Sequence, residues 1–459
     1  MNNNFNKEND DLVKYVLDTR FFKLFKEPVG TINKNIAQLE LFVTSHCNLK
    51  CTYCYLNKYR DKLFPHAKNN ELILSNLKIL LEHFLEEGYS FENIDLFSGE
   101  VWGEELGNGV MDLLIEYIKR GVIIKNIMIP TNFTFILFDE KTSFMENYIE
   151  AFKLIGTNLQ LSASIDGKCL EDTTRPFRAS NGKTRDDEFY DKVFSFCKKY
   201  GYLFHPMVSA YGIEKWIDNY EWYKSMFIKH GFPPLDSAML LEVRNDDWTD
   251  EAIDGYLKFL AHLIKDRYES VGSNITEFTK YLFNIDQRTM SGYLPYHLSL
   301  AENSMPCTIQ TQLTVRLGDL ALVPCHRMAY DNFLYGKYEV EDGKITGLTA
   351  INPQMTVKVL LTNPKNSIHG CDNCAYNKIC MKGCFGAQFE FGEEPFMPLK
   401  TVCKLFKAKY DFLIDTYTEM GVFKEAEKIY NDSLEKIYLK DNIQIYKDVI
   451  ERRESQCWY

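Results

Sequence analysis

The sequence has no uninterrupted apolar run of about 18 residues, the length that a membrane-spanning helix needs. Residues 1–11 are rich in asparagine and acidic side chains and lack the apolar stretch of a secretory signal. Blocks of lysine and arginine are also absent, and 64 acidic against 53 basic side chains give a net charge of −11. Nucleic acids and anionic membranes bind clustered positive charge. We therefore expect a cytoplasmic protein with no membrane or nucleic-acid partner, and a small molecule or a peptide as substrate.

Cysteine, in contrast, is abundant. The chain of 459 residues has 13 cysteines, and ten of them fall into two groups. Disulfides are rare in the cytoplasm, so clustered cysteines in such a protein indicate metal ligation first. An apolar content of 45% is enough to bury a sizeable core, in two or three domains or in one barrel with an appendage.

Short apolar β-type runs alternate with helical patterns between residues 37 and 270, which is typical of repeated βα units. The six predicted strands are 39–43, 94–97, 127–129, 159–164, 204–209 and 238–243. The predicted helices include 72–85, 110–118, 186–200 and 250–264, which have apolar residues at three- and four-residue spacing. Because a closed barrel has eight such units, six predict an α/β fold with a partial (β/α)6 TIM-like barrel.

The alternation fades after residue 270, where a cysteine-rich region from 307 to 403 has turn signals at Gly318-Asp319 and Asp342-Gly343. Residues 404–459 have the pattern of one or two amphipathic helices. The predicted regions are an amino-terminal segment (1–36), the partial barrel (37–270), a bridging region with a small cysteine-rich domain (271–404) and carboxyl-terminal helices (405–459).

The first cysteine group is Cys47-x3-Cys51-x2-Cys54, directly after the first predicted strand. A [4Fe–4S] cluster normally takes four thiolates, so three thiolates leave one iron open to a substrate or a cofactor. Zinc is the alternative, with His46 available as a fourth ligand. Other polar groups follow later strands, where the functional residues of a barrel gather. They are Ser98-Gly99-Glu100, Thr131-Asn132 and Ser164-Ile165-Asp166-Gly167.

Residues 44–55, TSHCNLKCTYCY, resemble the signature of the radical S-adenosylmethionine (radical SAM) enzymes, in which an aromatic residue such as Tyr53 precedes the third cysteine. The resemblance implies a [4Fe–4S] cluster on Cys47, Cys51 and Cys54, whose open iron binds the methionyl end of SAM. It further implies an external electron donor of the flavodoxin or ferredoxin type. The electron splits SAM into methionine and a 5′-deoxyadenosyl radical, which abstracts hydrogen from the substrate.

Two later segments resemble SAM-binding segments of the same enzymes. The segment 97–101 resembles Gly-Gly-Glu-Pro, whose backbone and glutamate receive the methionyl amine, with Ser98 and Val101 as departures and Gly99 and Glu100 as matches. The stretch after the fourth strand resembles the one that contacts the ribose and the carboxylate. Its implied contact residues are Ser164, Asp166 and Arg175.

Each SAM-binding candidate also has an ordinary structural explanation. Ser-x-Asp-Gly is a common turn sequence. Glu100 alone could be a solvated loop acid, and Tyr53 alone could be a packing residue. Only their joint order along the chain favours the cofactor.

The second group supplies seven thiols, which are Cys307, Cys325, Cys371, Cys374, Cys380, Cys384 and Cys403. Two metal centres are the natural count, and structural zinc is a rival because zinc ribbons use paired Cys-x2-Cys. Next to the barrel motif, the region resembles the SPASM extension of radical SAM enzymes, which has two auxiliary [4Fe–4S] clusters and brings the expected total to three. By that resemblance, Cys371, Cys374, Cys380 and Cys403 ligate the outer cluster, and Cys307, Cys325 and Cys384 ligate the inner one.

The fullest version of this pattern has eight cysteines, so seven would leave an open iron on the inner cluster. In some peptide-modifying relatives such a site is thought to hold a substrate cysteine thiolate, which suits thioether formation. The alternative is that Asp319, His326 or a water completes the cluster.

SPASM-bearing enzymes mostly act on peptides, so the resemblance implies modification of a ribosomally made peptide by a thioether or other crosslink, epimerisation or a related oxidation. The runner-up is a sulfatase-maturing enzyme, which forms formylglycine and typically has an Asp base where His326 follows Cys325 here. A third hypothesis is a zinc or iron–sulfur scaffold without turnover. A full leader-binding domain of roughly 80 residues is not expected in residues 1–36, so we expect recognition through a separate protein, through another surface, or without any leader.

Overall fold

The computed structural model describes residues 34–57, 69–97, 99–103, 105–178, 184–233, 241–244, 246–283, 309, 312–351, 371–380, 383–392, 396–432 and 437–456. Ser98 and Cys307, two of the predicted site residues, lie outside these ranges. The chain divides into two compact units. The first unit comprises Met1–Ser164, Pro176–Val193 and Cys307–Asn363, and the second comprises Ile165–Arg175, Phe194–Pro306 and Pro364–Tyr459. The domain boundaries given above stay predictions.

Strands and helices are both well represented in the described residues. In chain order the strands are β1 (Asn35–Phe42), β2 (Ser90–Asp95), β3 (Ile123–Thr131), β4 (Asn158–Ala163), β5 (Met207–Val208), β6 (Leu241–Glu242), β7 (Gln312–Arg316), β8 (Ala321–Val323), β9 (Gly336–Glu341) and β10 (Lys344–Ala350). The α-helices are α1 (Asn70–Glu87), α2 (Leu106–Arg120), α3 (Asp139–Leu154), α4 (Glu171–Thr174), α5 (Asp187–Tyr200), α6 (Trp216–Lys229), α7 (Asp250–Ser270), α8 (Ile275–Leu282), α9 (Phe385–Gly392), α10 (Lys400–Met420), α11 (Val422–Asp432) and α12 (Ile437–Gln456).

The first unit is built on an eight-stranded sheet in the order β10-β9-β8-β7-β1-β2-β3-β4. Strands β1 to β4 are parallel neighbours, and α1, α2 and α3 follow the first three of them, as the sequence predicts for βα units. In the second unit, β5 and β6 pair with each other as a separate parallel sheet. All six predicted strands therefore have a counterpart in the structure, while their arrangement as one partial barrel stays a prediction.

Helix α1 illustrates how the local sequence forms these units. Asn69 caps its start, because the side-chain oxygen accepts a hydrogen bond from the amide of Leu72 at 3.1 Å. Gly88 ends the helix with a φ of 71°, which glycine adopts without strain. The buried residues of the helix recur at three- and four-residue spacing, so one face packs into the core. They are Ile73, Leu77, Leu80, Leu81 and Phe84.

Strands β7 to β10 extend the sheet on the far side of β1. Strand β7 is parallel to β1, with Gln312 opposite Gln38, and β8, β9 and β10 follow as antiparallel neighbours. Both turn signals of the sequence lie in tight connections of this meander. Asp342 and Gly343 have φ values of 49° and 75°, as a two-residue hairpin turn requires. The sequence analysis did not predict that this segment joins the sheet of strands β1 to β4.

An apolar cluster forms the core of the second unit, and its large members include Trp216, Trp248 and Phe259. The described residues from 400 to 456 form three helices, α10, α11 and α12, whereas the sequence predicts one or two. Gly421, with a φ of 77°, ends α10 in a left-handed cap and separates it from α11. No helix in the described part of the chain is long and apolar enough to cross a membrane.

Candidate active site

The first cysteine group lies in a loop that follows β1. The backbone amide of Leu49 turns back and donates a hydrogen bond to Sγ of Cys47 at 3.4 Å. The amide of Cys54 donates to the carbonyl of Cys51 at 3.2 Å, and the amide of Asn57 donates to the carbonyl of Cys54 at 3.1 Å. Cys51 is buried, and the other two cysteines are partly exposed. The loop therefore carries its three thiols on successive tight turns.

A short segment that begins at Pro176 pairs with the cysteine loop. The amide of Lys50 donates to the carbonyl of Pro176 at 2.8 Å, and the amide of Arg178 donates to the carbonyl of Asn48 at 2.9 Å. The guanidinium of Arg178 also donates from Nε to the carbonyl of Cys47 at 3.0 Å. The sequence analysis missed Arg178, because no local pattern reveals a contact with a loop 131 residues earlier.

The predicted SAM-binding turn at Gly99 and Glu100 lies directly against the cysteine loop. The amide of Gly99 donates to the carbonyl of Thr44, and the amide of Glu100 donates to the carbonyl of His46, both at 2.7 Å. A Cβ atom on Gly99 would lie 1.9 Å from the carbonyl oxygen of His46, so only glycine fits at this position. Ser98, which precedes this turn, is outside the described residues.

Glu100 is only 5% exposed, and groups at the end of strand β3 hold its carboxylate in place. One oxygen accepts a hydrogen bond from Oγ1 of Thr131 at 2.9 Å, and the other accepts from the amide of Asn132 at 2.8 Å. The amide of Trp102 also donates to this carboxylate, at 3.4 Å. The polar groups predicted after the second and third strands therefore come together, and the alternative of a solvated loop acid at Glu100 is wrong.

Ser164 and Asp166 follow strand β4. In the first unit, the amide of Ser164 donates to the carbonyl of Thr131 at 2.9 Å. In the second unit, Asp166 is fully buried, and its carboxylate accepts hydrogen bonds from the amide of Met207 at 3.0 Å and the hydroxyl of Thr174 at 2.7 Å. Asp166 thus ties the loop after β4 to strand β5.

Arg175 is buried beside two carboxylates of the second unit. Its guanidinium nitrogens lie 3.3 Å from Oε1 of Glu171 and 3.7 Å from Oδ1 of Asp166. Glu171 in turn accepts hydrogen bonds from the amides of Asp166 and Gly167, at 2.6 and 3.2 Å. The sequence analysis did not single out Glu171. The Asp-Gly stretch is therefore part of a buried polar network, and SAM contacts through Arg175, Asp166 and the partly exposed Tyr53 stay predictions.

Cys325 precedes a short helical turn, His326–Met328, in the first unit. The ring of His326 is oriented from two sides, since Nδ1 pairs with the carboxylate of Glu40 and the face stacks on Phe97 with centroids 4.1 Å apart. Glu40 is 2% exposed. The second residue considered as a replacement ligand, Asp319, accepts a hydrogen bond from Arg316 instead. An open iron on the inner cluster stays a prediction. Cys307, a predicted ligand of that cluster, is outside the described residues.

A second buried carboxyl group lies in the same polar region of the first unit. Asp95 of strand β2 accepts a hydrogen bond from the amide group of Gln38. Burial and the nearby charge of Glu40 raise the pKa of Asp95 to about 7.

Cysteines of the second group line a small, partly open cavity in the second unit, together with Arg244, Gln388 and apolar side chains. They are Cys371, Cys380, Cys384 and Cys403. The structure therefore brings three of the four predicted outer ligands to one cavity and adds Cys384 to them. Cys374, the fourth, forms a turn with Cys371 and packs against the apolar cluster of the unit.

Two of these cysteines lie at helix starts. The carbonyl of Cys384 accepts the first hydrogen bond of α9, and Cys403 lies in the first turn of α10. Helix amino termini stabilise thiolates. Within the described ranges, no group of three or more His, Cys, Asp or Glu side chains is arranged to hold a single metal ion. In an iron–sulfur cluster the thiolates bind different irons. The ligands of such a cluster are therefore not expected to converge on one point as the ligands of a single metal ion do.

The sequence matches no protein-family model and no curated protein, but solved structures match the fold. Native anSMEcpe with bound AdoMet has a TM-score of 0.52 and 17% identity, over 83% of this chain and 99% of that chain. The same protein with AdoMet and the Cp18Cys peptide has a TM-score of 0.51 and 18% identity, over 84% and 99%. Streptococcus suis SuiB bound to its precursor peptide SuiA has a TM-score of 0.43 and 14% identity, over 81% and 76%.

The two matches to anSMEcpe define the class of fold. The name anSME denotes an anaerobic sulfatase-maturating enzyme of the radical SAM/SPASM class. At identities below 20%, the similarity to the two anSMEcpe structures establishes the fold alone. The chain therefore has the fold of the anSMEcpe structures, and the resemblance that the cysteine motifs predict is confirmed at the level of the fold.

Proposed function

We propose that the protein is a radical SAM/SPASM enzyme that modifies a peptide after translation. The observation that carries this proposal is the joint between the cysteine loop and the Gly99-Glu100 turn, where two hydrogen bonds of 2.7 Å hold a buried carboxylate next to the loop. The activity of a zinc or iron–sulfur scaffold without turnover would not require a carboxylate at this place. The fold shared with anSMEcpe over 83% of this chain supports the same conclusion.

The residues of the loop fit a [4Fe–4S] cluster with one open iron. Cys47, Cys51 and Cys54 would hold three irons, and the bare backbone of Gly99 allows an approach that a side chain would block. When bound, the cluster supplies the electron that divides SAM into methionine and a 5′-deoxyadenosyl radical. Glu100 would bind the methionyl ammonium, because a positioned carboxylate forms strong charge-assisted hydrogen bonds with such a group.

The remaining SAM contacts are assigned to the loops after strands β1, β2 and β4. Ser164 and Arg175 would bind the ribose and the carboxylate of SAM. Asp166 would act by holding this loop through its bonds to Met207 and Thr174. Further contacts are assigned to Tyr53, Ser98 and Gly99.

We assign two auxiliary clusters to the second cysteine group. The outer cluster would use Cys371, Cys374, Cys380 and Cys403, and the inner one Cys307, Cys325 and Cys384. The cavity lined by Cys371, Cys380, Cys384 and Cys403 supports a metal centre in the second unit. With the cluster on the first loop, the expected total is three.

A ribosomally made peptide is the proposed substrate, and a thioether or other crosslink is the proposed product. The anSMEcpe structure with the Cp18Cys peptide supports a peptide, since the chain shares that fold at a TM-score of 0.51. The proposed partners are an electron donor of the flavodoxin or ferredoxin type and, if the peptide has a leader, a separate leader-binding protein.

Formylglycine formation is the second candidate, and the fold of anSMEcpe favours it. Against it, the residue after Cys325 is His326, whose ring pairs with Glu40, rather than an aspartate base. Incubation with a Cys-containing sulfatase peptide and with a candidate precursor peptide separates the two reactions by mass.

The class of protein can be tested by metal analysis of protein purified without oxygen. We expect about 12 irons with matching sulfide, as three cubane clusters require, and formation of 5′-deoxyadenosine from SAM after reduction. Mass spectrometry of a co-expressed precursor peptide would then identify the modification. Protein that contains mainly zinc, or iron-loaded protein that leaves SAM intact, would contradict the proposal.

A further inference from the structure

Strand β3 ends at Thr131, and Asn132 follows it. The proposed function does not use the contacts of the Asn132 side chain. We infer that Asn132 is a positioning residue for the iron–sulfur cluster, because its side-chain amide donates a hydrogen bond to Cys47 and raises the reduction potential of the cluster. This inference rests on the proposed function, since it requires the cluster to occupy the cysteine loop.

Asn132 contacts both parts of the site. It is only 4% exposed. Its Nδ2 atom lies 3.9 Å from Sγ of Cys47, within hydrogen-bond range of a sulfur acceptor. Its backbone amide donates to Oε2 of Glu100 at 2.8 Å. One residue thus joins a predicted cluster ligand to the carboxylate proposed to bind SAM.

The side chains of Asn48 and Thr134 fix the orientation of the Asn132 amide, because the three side chains form a closed ring of hydrogen bonds. Asn132 donates to Oδ1 of Asn48 at 2.8 Å, Asn48 donates to Oγ1 of Thr134 at 2.7 Å, and Thr134 donates to Oδ1 of Asn132 at 2.6 Å. Within the ring each group donates once and accepts once, and the backbone amide of Thr134 also donates to Oδ1 of Asn132 at 3.0 Å. Flipping either amide would therefore place like groups face to face. Nδ2 of Asn132 therefore faces the cysteine loop, and its second N–H is available for Sγ of Cys47.

The backbone of the same turn is held in an uncommon conformation. Phe133 has a φ of 58°, which bulky residues rarely adopt, and it is completely buried. Such conformations persist where the surroundings determine them, and they cluster at functional sites. Here the turn directs the backbone amide of Asn132 to Glu100 while its side chain reaches Cys47.

Hydrogen bonds to the ligand sulfurs help to set the potential of an iron–sulfur cluster. They raise it because they stabilise the additional negative charge of the reduced state. Sγ of Cys47 accepts one such bond from the backbone amide of Leu49 at 3.4 Å. That donor survives any substitution at other positions, whereas the donor from Asn132 can be removed selectively.

The test is a redox titration of the full-length protein, followed by EPR with and without SAM to identify the cluster of the cysteine loop. Asn132→Leu and Asn132→Asp both remove the N–H donor and keep the backbone amide that binds Glu100. We expect unchanged iron content and a lower midpoint potential. For Asn132→Asp, the ratio of reduced to oxidised cluster at a fixed poise should fall about tenfold, which is about 59 mV for one electron.

Thr131→Val is the control at the neighbouring position. It removes a hydroxyl that donates to Glu100 at 2.9 Å and accepts from the amide of Phe133 at 3.2 Å, and it keeps the side chains of Asn132, Asn48 and Thr134. It should weaken SAM binding without a change in potential. Unchanged potentials in both Asn132 variants at full iron content would overturn the inference. If the variants lose the cluster, pulsed EPR of wild-type protein labelled with 15N in the asparagine side chains decides, since coupling supports the contact and its absence refutes it. A wild-type protein without a SAM-responsive cluster would refute the proposed function itself.

Discussion

Two turns of the chain have the same spacing and the same backbone hydrogen bonds. They are Cys51-x2-Cys54-x2-Asn57 in the first unit and Cys371-x2-Cys374-x2-Asn377 in the second. In both, the amide of the second cysteine donates to the carbonyl of the first, at 3.2 and 3.1 Å. The asparagine amide then donates to the carbonyl of the second cysteine, at 3.1 and 3.0 Å. The local sequence is therefore sufficient to set the geometry of both turns.

The surroundings of the two turns differ in chemistry. Polar groups from several elements hold the loop of the first turn, including the guanidinium of Arg178 and the amides of Asn132 and Glu100. The second turn packs against apolar side chains, and its cavity is lined by residues such as Val402 and Phe406. Hydrogen bonding and solvent exposure set what a cluster can do electronically. Under the proposed function, the same cysteine turn would therefore serve cofactor cleavage in one unit and electron storage or structure in the other.

Removing one cysteine from each turn should give the largest difference between them. Cys54→Ala should abolish formation of 5′-deoxyadenosine, because Cys54 is a proposed ligand of the cluster that reduces SAM. Cys374→Ala should remove up to about four of about 12 irons and retain cleavage of SAM in the absence of peptide. Iron analysis and chromatography of the nucleoside check both outcomes.

Cys197→Ala is the control for these variants, since Cys197 is fully buried and belongs to neither cysteine group. It should retain all iron and full cleavage. If Cys374→Ala abolished SAM cleavage as completely as Cys54→Ala, the two turns would not have separate roles.

The next prediction concerns helix α10, which contributes Cys403 to the cysteine-lined cavity of the second unit. Lys409 of α10 pairs with Glu242 at 2.6 Å, and both side chains are nearly completely buried. Lys409→Ala should lower the free energy of unfolding by about 3–5 kcal/mol, because it leaves the carboxylate buried without this charge. Urea denaturation measures the change.

Lys192→Ala provides the contrast, because it breaks an ion pair with Glu188 in which the side chains are 48% and 74% exposed. It should cost less than about 1 kcal/mol. Equal losses for the two lysine variants would mean that the Lys409 pair is hydrated in solution.

A smaller effect is expected where the backbone of Gly99 approaches the cysteine loop of the first unit. Gly99→Ala places a Cβ atom 1.9 Å from the carbonyl oxygen of His46, so the turn must move away from the cysteine loop. The dissociation constant for SAM should rise at least about tenfold, or about 1.4 kcal/mol, as equilibrium dialysis would measure. Gly347→Ala has no atom within 4 Å of its Cβ and should bind SAM as the wild type does. Unchanged affinity in Gly99→Ala would separate this turn from SAM binding.

The convergence of polar groups in the first site could be predicted from the sequence. Glu100 follows strand β2 and Thr131 is the last residue of strand β3. These strands are parallel neighbours, and the carboxyl ends of such strands meet at one edge of a sheet. Hairpin turns such as Asp342-Gly343 could also be predicted, because the turn residues themselves determine the backbone.

Other features could not be predicted because they depend on contacts between distant segments. Arg178 binds a carbonyl 131 residues away, and Lys409 finds Glu242 across 167 residues. Likewise, nothing in the local pattern of β7 indicates that it pairs with β1. Sequence periodicity reports burial and secondary structure, whereas these contacts are decided by tertiary packing.

The smallest predicted effect is a pH dependence in the polar region of the first unit. Burial and the charge of Glu40 raise the pKa of Asp95 to about 7, whereas the same group in the unfolded chain has its ordinary pKa near 3.8. Between these values the unfolded state releases a proton that the folded state keeps, so stability falls as pH rises from about 4 to about 7. Above pH 7 the loss is complete.

Asp95→Asn removes this charge and keeps an oxygen that can accept the hydrogen bond from Gln38. The melting temperature should therefore rise more at pH 8 than at pH 5, by a difference on the order of 2 °C. Glu92→Gln on the same strand is the control, because the Glu92 side chain is 42% exposed and pairs with Lys125 at the surface. An equal change at both pH values in Asp95→Asn would show that Asp95 is ionised in the folded protein across this range. Water would then have more access to Asp95 and Glu40 than their burial implies.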